Sequence, residues 1–146
     1  MTKAFGVADG FTPKERIFVN DPKPSGRDYA QFSWRYEGFG IMLWALSFLP
    51  NPGKPTEAFQ AAALARILID LGPQEFRRKV ALRPMVQILD EADLIYRYHW
   101  AVTDARINRR PSPGQLNAGV VYERHYALNW LVRYMDQEWD DISTDT

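Results

Sequence analysis

From Arg83 to Asn108 the chain repeats apolar residues at helical spacing, and no Gly or Pro interrupts it between Pro84 and Pro111. Pro84 suits a first helical turn, where its missing N–H would have no partner. Met85, Leu89, Ala92, Tyr96, His99, Thr103 and Ile107 share one side, and Ile88, Ile95 and Val102 widen it. A helix so apolar is expected inside a domain. Its remaining stripe carries Asp90, Asp93, Arg97, Asp104 and Asn108. Asp93 precedes Arg97 by four residues, the favourable order for a helical ion pair.

Other segments follow the same logic. Thr12, Pro13 and Glu15 form a capping-box pattern for a short helix to about Val19. Asn20–Gly26 is turn-rich. Asp28 with Gln31 opens a second helix to about Leu49. Phe32, Tyr36, Phe39, Leu43 and Leu46 line one side of it, and Trp34, Ile41, Trp44, Ala45 and Phe48 the other. Gly38 and Gly40 weaken that helix and permit close approach by another element. A third helix runs from Thr56 or Glu57 to Gly72. Residues 73–83 read equally as a short helix or an extended link, and 109–119 as a loop. A last helix spans about Val120 to Trp139, with Val121, Leu128, Val132, Met135 and Trp139 inward and Tyr126, Asn129, Arg133, Asp136 and Gln137 on a wet outer face. The fold class is therefore all-α: one domain, 1–146, of about four main helices plus a short N-terminal one. The second and fourth helices are largely buried, and residues 1–11 and 140–146 are loose.

Composition narrows the function classes. Formal charge is zero, so nothing draws the whole chain to nucleic acid or an anionic membrane. Arg77, Arg78, Lys79 and Arg83 make a local basic cluster, and Asp136–Asp145 an acidic end. The absence of cysteine excludes disulfides, thiolate catalysis and zinc–thiolate sites, and fits a cytoplasmic setting. The N-terminus lacks a signal-peptide pattern, and the longest apolar stretch, Phe39 to Leu49, is too short to span a bilayer. Five Trp, seven Tyr and eight Phe predict a core of large rings whose polar tips need partners.

Several polar residues fall on apolar stripes. Arg35 lies among Phe32 and Phe39, Glu37 among Trp34, Ile41 and Trp44, and Arg124 and His125 among Val121 and Leu128. A buried charge must be paired or neutralised. The start of the second helix and the start of the last one are thus expected to meet, joining Arg35, Glu37, Glu123, Arg124 and His125, with Asp93 or Arg97 attached. Such a cluster reads first as a structural ion-pair network and second as a ligand-binding or catalytic site. His99 reads as a satisfied core histidine, with a two-His, carboxylate metal set as the alternative. The spacing holds no HExxH, Glu-x-x-His, GxSxG, Walker-type loop or GxGxxG. Asp90, Asp93 and Asp104 are weak candidates for a shared divalent cation.

Phe32–Leu46 (FSWRYEGFGIMLWAL), Ile88–Asn108 (ILDEADLIYRYHWAVTDARIN), Gly119–Leu131 (GVVYERHYALNWL) and Trp139–Thr146 (WDDISTDT) resemble the bacterial proteins grouped as domain of unknown function 4272, and Thr12–Ser25 is similar to that family's lead-in. The resemblance covers about residues 12–146, and members usually carry more chain before the Thr12 region. It implies no catalytic residue and no cofactor. It does place Arg35, Glu37, Asp90, Glu91, Asp93, Arg97, His99, Asp104, Arg106, Glu123, Arg124, His125 and Asn129 inside signature stretches. The functional expectation is a non-enzymatic binding or interaction module, taking a protein or small ligand, with no cofactor, nucleic acid or membrane and with a homo-oligomer as an option. The alternative is a small enzyme using the Arg/Glu/His/Asp cluster, with a divalent cation as an added option.

Overall fold

A computed structural model describes residues 8–146. The expectation of looseness for residues 1–7 lies outside that range. Among the described residues there is no strand, and the helices are α1 (Pro13–Asn20), α2 (Gly26–Ser33), α3 (Arg35–Ala45), α4 (Ala61–Lys79), α5 (Met85–Ile107) and α6 (Ala118–Leu131). None of them is long and apolar enough to cross a membrane.

The local signals explain most boundaries. Thr12 caps α1: its hydroxyl accepts from the Glu15 N–H, and the Glu15 carboxylate accepts from the Thr12 N–H. The second capping box is displaced from the expected one. Ser25 is the cap and Asp28 the third helical residue, with the Asp28 carboxylate accepting from both the Ser25 N–H and hydroxyl. α2 and α3 run on from each other across Trp34, whose backbone stays right-handed. α3 ends earlier than expected because Ser47 turns left-handed at φ 67°. The Phe48 N–H then reaches back to Leu43 O and the Ser47 N–H to Trp44 O, so the end carbonyls are satisfied. α4 starts at Ala61, later than expected, and bends at Gly72, whose φ of 64° needs a residue without Cβ. Pro73 reopens the helix, so 73–79 is the short helix rather than the extended link.

The core corrects the expected order of burial. α3 and α6 are the buried pair: Ile41, Trp44 and Ala45 pack in one core with Val121, Ala127 and Leu128, and Leu43 and Val120 are buried as well. α5 buries only Ile88, Ile95, Val102 and Ala105, and its Met85, Leu89, Tyr96 and Ile107 side faces solvent. The wet outer face expected of α6 is also overturned, since Tyr126 and Asn129 are buried there. The cause is the C-terminal segment. α6 stops at Leu131, Arg133 turns left-handed, and residues 134–146 fold back over the helix. The Tyr126 hydroxyl donates to Trp139 O, and the Asn129 amide donates to Ser143 O at 2.8 Å. Ile142 is buried in the same segment.

Glycines at 38 and 40 work as close-approach positions. A Cβ on Gly40 would run into the Phe59 ring, and one on Gly38 would lie 3.2 Å from Trp139 and 3.6 Å from Ala127 of α6. The two chain ends are also joined. The Thr12 hydroxyl donates to Asp140 at 2.8 Å, and the Lys14 N–H donates to the same carboxylate at 2.9 Å. Thr12→Ala removes a cap and that link together. It should lower stability by about 1–2 kcal/mol in urea denaturation and speed amide exchange near Ile142. Unchanged exchange there would show that the tail is held without Thr12.

Candidate functional site

The start of α3 and the start of α6 do meet, but the expected single cluster resolves into separate units. The first is sealed. Glu37 and Arg124 are each 2% exposed, and Arg124 Nε donates to Glu37 Oε2 at 2.9 Å. The other carboxylate oxygen accepts from the Phe59 N–H. Arg124 Nη1 donates to Pro52 O and Gly53 O at 2.8 and 2.9 Å, and the guanidinium lies 4.2 Å from the Phe59 ring centre. Every strong bonding direction of the pair is filled by the protein. It ties the 52–59 loop onto α3 and α6.

The second unit is Arg35. Its guanidinium lies over the Tyr126 ring at 4.5 Å and the Trp139 ring at 5.4 Å. Its contact with Glu123 is long, 3.9 Å. Arg35 Nε and Trp139 Nε1 are the two buried side-chain polar atoms left without a partner among the described residues. Arg35 also forms part of the wall of an open pocket of about 270 Å³ between α1, α2 and α3. Phe11, Phe18, Phe32, Tyr36 and Phe39 line most of the rest, with Phe18 and Phe32 stacked at 4.2 Å. Burial raises the Glu123 carboxyl above its ordinary value, against the lowering pull of Arg35. Glu123 is therefore a poor counter-ion for Arg35.

The third unit is the histidine pair. His99 Nδ1 and His125 Nδ1 lie 2.7 Å apart, so one ring donates and the other accepts. Tyr96 meets His125 edge-on and Tyr122 meets His99 edge-on. Burial lowers both rings below the ordinary imidazole value. His125 goes to about 4, with His99 adding to the burial effect and Asn129 opposing it. For His99, the charge of Arg106 adds to burial. His99, Thr103, Arg106, Tyr122 and residues 144–146 border an open cleft of about 450 Å³. His99 is thus half-buried and paired rather than a core histidine.

The remaining candidates lie elsewhere. Asp93 and Arg97 bond to each other at 2.7 Å on the solvent side of α5 and do not join the buried cluster. Asp104 bonds Arg110 and Asn108. Asp90 and Asp104 are about 21 Å apart along the helix axis, at about 1.5 Å per residue. The three acids therefore do not converge, and no group of three His, Asp or Glu side chains suited to a metal ion occurs among the described residues. Tyr126 and Asn129 are the neighbours that sequence reasoning placed wrongly, on a wet face. The one available signal was the near-continuous apolar and aromatic run of α6, too apolar for a helix with a wet face.

Residues 1–142 match the family described as Domain of unknown function (DUF4272). No curated protein and no solved structure matches the chain. The chain belongs to the DUF4272 family.

Proposed function

We propose that this member of the DUF4272 family is a non-enzymatic binding module, and that the pocket beside Arg35 takes a small apolar molecule carrying a carboxylate. One observation carries the reading: Arg35, which has only a long contact to Glu123, borders a pocket lined mostly by aromatic rings. Arg35 is the one cation in that wall. Ligand pockets commonly have this form, apolar walls with a few polar groups that fix orientation. Glu15, the acid in the same wall, already accepts from the Thr12 N–H and so leaves Arg35 to set the sign of the ligand.

Isothermal titration with phenylacetate, 3-phenylpropanoate and octanoate should give Kd values of about 10–500 µM. The matching amides should bind at least about tenfold more weakly, the loss of one charge-assisted hydrogen bond. Arg35→Met should abolish the preference for the acid while leaving the fold intact by circular dichroism. Equal binding of acids and amides, or no binding of either, would sink the proposal.

A second reading, a small enzyme, rests on the 2.7 Å histidine pair at the edge of the cleft. Two neutral imidazoles can pass a proton between them, and His99 reaches the cleft. Catalytic activity on an activated ester that exceeds that of His99→Gln would favour it; identical rates would count against it. A divalent cation would enter this reading only through the two ring nitrogens, since the acids of α5 are dispersed.

A further inference from the structure

The cleft of about 450 Å³ beside His99 carries two opposite charges that do not pair. Arg106 lies two turns beyond His99 on the same side of α5, and Asp145 comes from the returning tail. Neither forms an ion pair among the described residues. Val102, Ala118 and Tyr122 supply the apolar part of the wall.

The neighbours of the histidine pair fix where its protons sit. The Asn129 amide nitrogen donates to Ser143 O at 2.8 Å, so the amide oxygen is the end left for His125. Asn129 is hydrogen-bonded to His125 and favours its protonated form, as an acceptor does. His125 Nδ1 is engaged by His99, so the proton that Asn129 accepts sits on Nε2. A neutral imidazole carries one N–H. In the 2.7 Å contact His99 Nδ1 is therefore the donor and His125 Nδ1 the acceptor. That leaves His99 Nε2 without a proton. It bonds nothing in the protein and is not one of the buried atoms without a partner, so it is open to the cleft.

We infer that this cleft binds a free α-amino acid with an apolar side chain. The ligand carboxylate pairs with Arg106, and the ligand ammonium donates to Asp145 and to His99 Nε2. Charge selects this class. A zwitterion answers one cation, one anion and one bare acceptor together. A phosphate or a dicarboxylate would set a second negative charge against Asp145 and the His99 lone pair, and a neutral ligand would leave both charges unmatched. The inference asks for binding alone. It shares the histidine pair with the enzymatic reading and stands whether or not an ester is cleaved. The pocket beside Arg35 lies on other helices, so the two sites are independent.

Two measurements on the full chain test it. Long-range proton–nitrogen NMR at about pH 8, where both rings are neutral, should show His99 protonated at Nδ1 and His125 at Nε2. Isothermal titration is run on the Arg35→Met chain, so that the other pocket does not take up acids. L-leucine should bind with a Kd below about 1 mM. Leucinamide lacks the carboxylate and 4-methylpentanoate the ammonium, and each should bind at least about tenfold more weakly. Adding Arg106→Gln or Asp145→Asn should weaken leucine by a similar factor with an unchanged far-ultraviolet spectrum. No leucine binding at about 10 mM overturns the inference. So does an analogue that matches leucine, or binding indifferent to Arg106→Gln. A His99 proton found on Nε2 overturns the acceptor role given to that ring.

Discussion

Arg124→Met is expected to lower the free energy of unfolding by about 3–5 kcal/mol, the usual effect of removing one partner of a buried pair. The reason is what remains. Glu37 would be left at 2% exposure with the Phe59 N–H as its one remaining donor, and Pro52 O and Gly53 O would lose theirs. The Asn117 N–H also holds Pro55 O at 2.9 Å, but the Pro52–Gly53 end of the loop should loosen with the pair. Glu37→Gln should cost less, because the guanidinium keeps its carbonyl acceptors. The double change Glu37→Leu, Arg124→Met removes both charges and should be more stable than Arg124→Met alone, since apolar replacement of a whole buried pair is often close to neutral. Urea denaturation of the four proteins gives these differences directly. An Arg124→Met protein within 1 kcal/mol of the parent would mean that water already reaches the pair. Folded Arg124→Met should still bind the carboxylate probes, because Arg35 and not Arg124 borders the pocket. Stability and binding then separate, as they should if one arginine is a strut and the other a ligand group.

That separation also shows where sequence reasoning reached and where it stopped. Placing Arg35, Glu37, Arg124 and His125 on apolar stripes was enough to bring the starts of α3 and α6 together, because buried charge demands a partner. It could not divide them. Arg35 and Glu37 are two residues apart and point to different neighbours, one to the Tyr126 and Trp139 rings and one to Arg124. The Asp93–Arg97 pair was visible as a helical ion pair, yet periodicity says nothing about which face of α5 the rest of the chain covers. The same limit explains why α5 was expected inside. Its apolar residues occupy more than half the circumference, but burial follows only Ile88, Ile95, Val102 and Ala105. α6 errs in the opposite direction. Asn129 and Tyr126 look like surface residues until the chain returns at Trp139 and Ser143 to accept their hydrogen bonds. A left-handed residue at Arg133 makes that return possible, and arginine carries no local signal for it.

The histidine pair should make the protein lose stability as the pH falls from about 6.5 toward 4. Both rings are held below the ordinary imidazole value, His125 at about 4. In that window the unfolded chain binds protons that the folded one refuses, so acid favours unfolding. Above the unfolded value both states are neutral at these rings, and the pair adds no slope. A shift from 6.5 to about 4 at His125 corresponds to about 2–3 kcal/mol lost by pH 4. Protonation of both rings would set two Nδ1–H donors against each other, with Arg106 nearby. Glu91 and Glu123 work the other way. Burial raises both, so their protonation stabilises the fold as the pH falls through the raised values. The two acids offset part of the histidine effect, so the double histidine variant is what isolates it. Urea denaturation at half-unit steps should show a slope approaching about 1.4 kcal/mol per pH unit for each proton taken up. His99→Gln, His125→Gln should flatten that slope while keeping the two side chains polar and able to bond. A slope that survives the double change would place the acid sensitivity in other groups and leave the imidazoles with no part in it.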